Sequence, residues 1–152
     1  MNITNDNEFK AILAGLDISR QRKVAAAFVE GVLSLCSDPR VNAAIDIVKR
    51  DGVTELELAA AYQMANTARV ESFCPCGKEI DWRIQTGHFV AKAALDCAKP
   101  AKEDVSLAWD AAMDARIART CEGIASGETI ERREVEREVG NQYRILSDFI
   151  GQ

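Results

Sequence analysis

Apolar side chains recur at intervals of three and four residues along most of the chain. Val24, Phe28, Val32 and Leu35 form one such stripe, and a longer one runs from Val105 to Ile124. This spacing places apolar side chains on one face of an α-helix. The pattern predicts helices over residues 8–13, about 20–35, 39–52, 54–70, 81–98, about 105–124 and from 129 onward.

Residues that favour helix starts stand at several of these boundaries. Asp38 precedes Pro39, an order that combines a capping carboxylate with a proline whose missing N–H costs nothing in the first helical turn. Thr54 and Glu57 match the capping box, in which each side chain binds a free backbone N–H. Asp81 is a further predicted cap. These signals fix the starts of three predicted helices.

Glycine and proline mark the predicted helix ends. Gly52 and Gly127 are suited to left-handed stops, Pro100 ends the helix before it, and Gly140 is a point at which the last segment could divide in two. No segment alternates as a strand does. We therefore predict one all-α domain over residues 1–152, a bundle of six or seven mostly antiparallel helices. Its core should be alanine-rich and packed too tightly for a cofactor-sized cavity.

Composition agrees with a globular fold and limits the possible partners. The 152 residues are 47% hydrophobic and 28% charged, with a net charge of −5. An acidic chain repels phosphate backbones, so we expect no nucleic-acid partner. There is no apolar run of membrane-spanning length and no signal-like amino terminus, so we expect no membrane partner and a cytoplasmic location.

The cysteine pattern offers one candidate site for metal or thiol chemistry. Cys74 and Cys76 flank a proline in a predicted loop, but structural zinc needs four ligands and no second knuckle follows. A metal site would have to recruit Cys97, Cys121 or His88. We therefore expect no cofactor and keep Cys74, Cys76, Cys97 and His88 as the metal candidates. Cys36, Cys97 and Cys121 lie on helical stripes and are predicted to be core residues.

Other residue types give little sign of catalysis. His88 is the only histidine, and we predict a hydrogen-bonded interior side chain rather than a ligand. The carboxylate pairs Asp110/Asp114 and Glu134/Glu138 have helical spacing and are predicted to face solvent. Phosphate-binding and nucleophile-elbow motifs are absent. No catalytic residue is predicted.

Three segments carry a family resemblance. Residues 38–45 read DPRVNAAI, residues 65–69 read ANTAR and residues 87–93 read GHFVAKA. Together they resemble the alanine-rich immunity proteins encoded beside bacterial polymorphic toxins, over residues 36–98. The chain departs from that family at Ala94, after which it has no further histidine, so no histidine-dependent role is carried over.

The resemblance implies a non-catalytic protein that binds and neutralises a cognate toxin. An acidic surface suits a basic toxin, because complementary charge accelerates association. The candidate contact residues are the glutamates of the charge-dense segment, Glu128, Glu131, Glu134 and Glu138; a solvated helix flank is the alternative interpretation. A homodimer built on one exposed stripe is a further possibility.

Two other functional classes stay open from the sequence. The first is a metal- or thiol-dependent protein that uses Cys74 and Cys76. The second is a small helical enzyme whose site is assembled from residues scattered along the chain.

Overall fold

Seven α-helices and one short 3₁₀ turn make up the secondary structure that the computed structural model describes. It describes residues 2–73, 79–127 and 131–152, with only the backbone of residues 131–133. The helices are α1 (Asp6–Gly15), α2 (Ile18–Glu30), α3 (Pro39–Val48), α4 (Glu55–Glu71), α5 (Trp82–Ala98), α6 (Leu107–Ala125) and α7 (Glu131–Ile150). The predicted all-α class is confirmed, and no strand occurs within these ranges.

The helix starts follow the predicted caps. The Asp38 carboxylate accepts from the N–H of Arg40 at 3.0 Å, and Thr54 exchanges both capping-box bonds with Glu57. Asp81 accepts from two N–H groups of the first turn of α5. Each side chain satisfies backbone donors that have no partner inside the helix, so the local sequence determines where α3, α4 and α5 begin.

Two helices end earlier than predicted. The third helix ends at Val48 rather than at Gly52. The second helix ends at Glu30 rather than Leu35, and Leu33–Leu35 forms the 3₁₀ turn. The N–H of Val32 bonds to the carbonyl of Val29 at 2.9 Å, an i to i−3 bond that tightens the chain after Gly31. Gly140 does not divide the last segment, because α7 runs through it without a break.

Helices α5 and α6 lie at the centre of the bundle. They pack against each other, and α5 also contacts α2, α3 and α4, whereas α6 contacts α1, α2 and α7. Alanine is the most frequent of their buried residues, and these alanines are 4% exposed or less. Small side chains let helix axes approach closely. The predicted alanine-rich core is therefore confirmed.

Larger side chains fill the space around this centre. Phe9 of α1 is fully buried and packs against the rings of Phe28, Trp109 and Tyr143, with centroid distances of 5.6, 6.1 and 5.2 Å. These contacts join α1, α2, α6 and α7. One cluster of buried apolar residues extends from Ile3 to Leu146. Within the described ranges, no helix has the length and apolar character needed to cross a bilayer.

Candidate functional site

A surface cavity of about 430 Å³ opens where α3 begins, α4 ends and α5 begins. Its walls come from all three helices and from the residues that precede α3. Cavities of similar volume also open at other helix ends. The expectation of no cofactor-sized cavity is therefore wrong at the surface of the bundle.

The segments that carry the family resemblance meet at this cavity. Asp38 and Arg40 come from the first segment, Ala68 from the second, and Gly87 and Ala91 from the third. Residues far apart in sequence thus share one wall.

Arg40 organises the charged rim of the cavity. Its Nη2 donates to Asp38 Oδ2 and to Glu71 Oε2, both at 2.7 Å. These hydrogen bonds lower the pKa of both carboxyl groups below their ordinary values, so both remain anionic at neutral pH. Arg83 also lines the cavity and has no ion-pair partner among the described residues. Two acidic and two basic side chains leave the rim without a net charge.

His88 lies behind this rim and links α5 to the end of α4. It is only 8% exposed, and its Nδ1 lies 2.9 Å from the carbonyl oxygen of Arg69. A carbonyl oxygen can only accept a hydrogen bond, so Nδ1 of His88 carries the proton. Ser72 Oγ donates to the same carbonyl at 3.0 Å. Burial lowers the pKa of His88, with a smaller opposing effect of the Arg69 bond, so the ring is neutral at neutral pH. The prediction of a hydrogen-bonded interior histidine is confirmed.

Exposed apolar side chains flank the same helix ends. Val70 and Phe73 are 55% and 61% exposed at the end of α4, and Ile80 and Ile84 are 49% and 48% exposed around the start of α5. Ile84 lines the cavity, and Ile80 lines a second cavity that shares Arg83 with it. Exposed large apolar side chains that lie near one another are typical of an interaction surface. We call the cavity together with these four residues the α4–α5 corner.

The predicted metal candidates do not converge within the described residues. Cys74 and Cys76 lie outside them. His88 and Cys97 share α5 but are about 13 Å apart along its axis, since each residue advances about 1.5 Å. Cys97 is fully buried, and burial raises the pKa of its thiol. No group of three or more potential ligands occurs in the described part of the chain.

The predicted acidic contact face is incomplete. Glu128 and the side chain of Glu131 lie outside the described residues. Glu134 forms an ion pair with Arg137 at 3.1 Å. Glu138 is buried, at 3% exposure, and accepts from Arg119 Nε at 3.0 Å. The prediction that Glu138 faces solvent is therefore wrong, because its carboxylate forms an ion pair with Arg119 of α6.

Asp114 also differs from its predicted exposure. It is 6% exposed and lies beside Asp96 of α5, which is 4% exposed. Lys99 Nζ donates to Asp96 Oδ1 at 3.1 Å and to Asp110 at 2.6 Å, and Lys92 lies 3.4 Å from Asp114. Burial, then the hydrogen bond and charge of Asp114, raise the pKa of Asp96 well above its usual range. A proton on Asp96 allows it to donate to Asp114.

Sequence reasoning also missed Arg22 of α2. Its side chain is 7% exposed, and its Nη1 donates to the carbonyl oxygens of Cys97 and Lys99. A cation at the carboxyl end of a helix interacts favourably with the helix dipole. Arg22 stands within a basic run that looks solvent-facing, so only its three-dimensional partners distinguish it from its neighbours.

Comparison with known proteins gives no relative. No protein-family model matches the chain, no curated protein matches its sequence, and no solved structure matches its fold.

Proposed function

We propose that this protein is a non-catalytic binding module that engages another protein at the α4–α5 corner, and that this partner is a bacterial toxin which it neutralises. The observation that carries the proposal is the exposure of Val70 and Phe73 at the end of α4 and of Ile80 and Ile84 around the start of α5. These are the helix ends that form the cavity, which Ile84 lines and whose charged rim is held in place by hydrogen bonds. The family resemblance supplies the expected class of partner. The three segments that carry it also contribute residues to this cavity.

The chemistry of the corner suits a protein partner. Stable protein interfaces combine apolar anchors with a polar rim. Phe73 and Ile84 would supply anchors, and the Arg40 cluster would supply a rim whose geometry is fixed before binding. The rim itself is charge-balanced, so the net charge of −5 would act at longer range, by attracting a basic partner during encounter.

Coexpression tests the proposal. The protein encoded beside this one should be toxic when produced alone, and its toxicity should be relieved when this chain is produced with it. Phe73→Asp and Ile84→Asp should each weaken the purified complex by at least about 30-fold, since loss of an interface anchor costs about 2 kcal/mol or more. Affinity measured by calorimetry, together with growth of the coexpressing cells, gives the result.

Leu56→Asp is the matched control, because Leu56 is an 82% exposed apolar residue at the opposite end of α4. It should leave affinity and growth unchanged. A toxic neighbour that this chain does not neutralise would overturn the toxin assignment. Neutralisation that survives both corner variants would instead show that a different surface binds the partner.

A further inference from the structure

Arg22 is a buried cation whose charge is only partly balanced by its surroundings. Its Nη1 donates to the carbonyl oxygens of Cys97 and Lys99 at 2.8 and 2.9 Å. No carboxylate forms an ion pair with it among the described residues. Burial of a charge is costly unless hydrogen bonds or an opposite charge compensate it. The two carbonyls compensate Arg22 on one side, and the negative charge of Glu55 also acts on it without forming an ion pair.

The other side of the guanidinium has no protein acceptor. Nε and Nη2 donate no hydrogen bond to any described residue, although a guanidinium presents five N–H groups in a fixed plane. Nε and Nη2 form the side-on pair of donors that matches the two oxygens of a carboxylate. Arg22 therefore has an unused recognition edge.

This part of the molecule also contains a groove. Two adjoining cavities, of about 470 and 280 Å³, share Arg22, Glu55, Leu58 and Pro100 as lining residues. Ile18 and Val48 are among the apolar residues of the larger cavity, and Tyr62 lines the smaller one. Ser19, Lys23 and Arg50 also line the larger cavity. The walls therefore combine apolar side chains with several polar and charged ones, as small-molecule sites do.

We propose that this groove binds a small organic carboxylate with an apolar body, whose carboxylate pairs with Nε and Nη2 of Arg22 while its body packs on Leu58 and the neighbouring apolar residues. Within this mixed lining, the apolar side chains would favour an organic carboxylate over a strongly hydrated ion such as phosphate. This ligand site is separate from the α4–α5 corner, since the two cavities share no lining residue with it.

Glu55 sets a limit on the affinity. It begins α4 and lines both cavities, yet it forms no ion pair with Arg22 among the described residues. A bound carboxylate would lie near this like charge, which weakens binding. Removal of the Glu55 charge should therefore strengthen binding.

Titration of the full-length chain with octanoate tests the proposal at neutral pH. We expect saturable changes in the backbone amide NMR signals of Arg22, Leu58 and Tyr62. Octanol, which has the same apolar body without the charge, should bind about tenfold more weakly, as expected for loss of a charge-assisted hydrogen-bonded pair. Inorganic phosphate should cause no saturable change. Absence of saturation with octanoate, or equal binding of octanol, would overturn the proposal.

Variants assign the binding to Arg22. Arg22→Lys retains the positive charge and a donor for the α5 carbonyls but loses the planar edge, so octanoate affinity should fall about tenfold. Glu55→Gln should raise the affinity. Arg20→Gln removes an exposed charge from the same helix, outside the groove, and should leave the affinity unchanged.

Each opposite result counts against the site. A folded Arg22→Lys protein with unchanged affinity would show that the planar edge is not used. An equal loss in Arg20→Gln would indicate nonspecific attraction of anions. If Arg22→Lys does not fold, Glu55→Gln decides: unchanged or weaker binding in that variant would overturn the proposal. A short glutamate-containing peptide is a second probe. If it binds more tightly than octanoate, the groove recognises a polypeptide, and the proposal of a small-molecule ligand is overturned.

Discussion

Asp96 is a buried acid that holds its proton more tightly in the folded chain than in the unfolded one. Its raised pKa follows from burial and from the neighbouring carboxylate of Asp114. The folded state therefore binds more protons than the unfolded state at pH values above about 4, where an unfolded aspartate ionises. Stability from this group is fully present below that pH and is lost as the pH rises towards the folded pKa.

Asp96→Asn tests this behaviour, because asparagine imitates the protonated carboxyl group. In the natural chain, this group should reduce the free energy of unfolding between about pH 5 and about pH 8, by at most about 1.4 kcal/mol per pH unit. The variant should lose that contribution, so its stability should decline less over the same interval. Urea denaturation at several pH values measures the difference.

Two comparisons make the Asp96 result specific. His88 has a lowered pKa, so its contribution is present above its unfolded pKa and is lost as the pH falls, which is the opposite sign; it is common to both proteins and cancels in their difference. Asp46→Asn is the control, since the Asp46 side chain is 65% exposed. An Asp96→Asn protein with the pH dependence of the natural chain would contradict the assignment.

At the scale of single residues, the sequence identifies His88 well and the charged residues poorly. A lone histidine on an apolar helical stripe is most simply satisfied by a backbone acceptor, and Arg69 provides one. Asp114 and Glu138 have the helical spacing of solvent-facing pairs, but each contacts a charged group on another helix. Their burial depends on long-range partners that local periodicity does not contain.

Helix boundaries were predictable where a side chain acts on its own neighbouring backbone. Asp38, Thr54 and Asp81 cap the predicted helices because the atoms involved are within three residues of one another. The effect of Gly140 was not predictable in this way. Glycine lowers the local stability of a helix, but the packing of α7 against the bundle outweighs that loss. Glu138, Gln142 and Leu146 are buried on one face of α7, and that face continues through the glycine.

Gly140→Ala should therefore stabilise α7. The added methyl group meets nothing within 4 Å, and alanine is favoured over glycine inside a helix by about 0.5–1 kcal/mol. Thermal or urea unfolding should show an increase of that size.

Gly52→Ala provides the contrasting glycine variant. Gly52 has a φ of +66° and follows α3, a conformation that costs a non-glycine residue about 1–2 kcal/mol. It should destabilise the protein although space is open there too. Similar effects of the two substitutions would show that backbone conformation does not decide their sign.

At the scale of the whole molecule, the single apolar cluster links both ends of the chain. Phe9 joins α1 to α2, α6 and α7, and the central pair of helices contacts all the others between them. Small proteins with one continuous core unfold in a single cooperative transition. The described helices should therefore lose their structure together.

The two tryptophans can report on this cooperativity. Trp109 packs against Phe9, whereas Trp82 begins α5 near the α4–α5 corner. Trp82→Phe and Trp109→Phe each leave one fluorescent reporter. The urea transition of each reporter should coincide with the loss of helical circular dichroism in the same variant. A Trp82 transition at lower urea than the circular dichroism change would show that the corner unfolds separately.

The alanine seam between α5 and α6 also restricts how this sequence can change over evolutionary time. Ala93 and Ala94 of α5 and Ala111, Ala112 and Ala115 of α6 are all 0% exposed, and the two helices pack against each other. Added methylenes in a packed core cost about 1–3 kcal/mol, so tolerated substitutions there should be confined to glycine, alanine and serine. The outer helices are free to vary more widely. Related proteins should therefore keep the same spacing of small residues in α5 and α6. Unrelated helical proteins can acquire that spacing independently, so the polar residues of the α4–α5 corner would be better evidence of common ancestry.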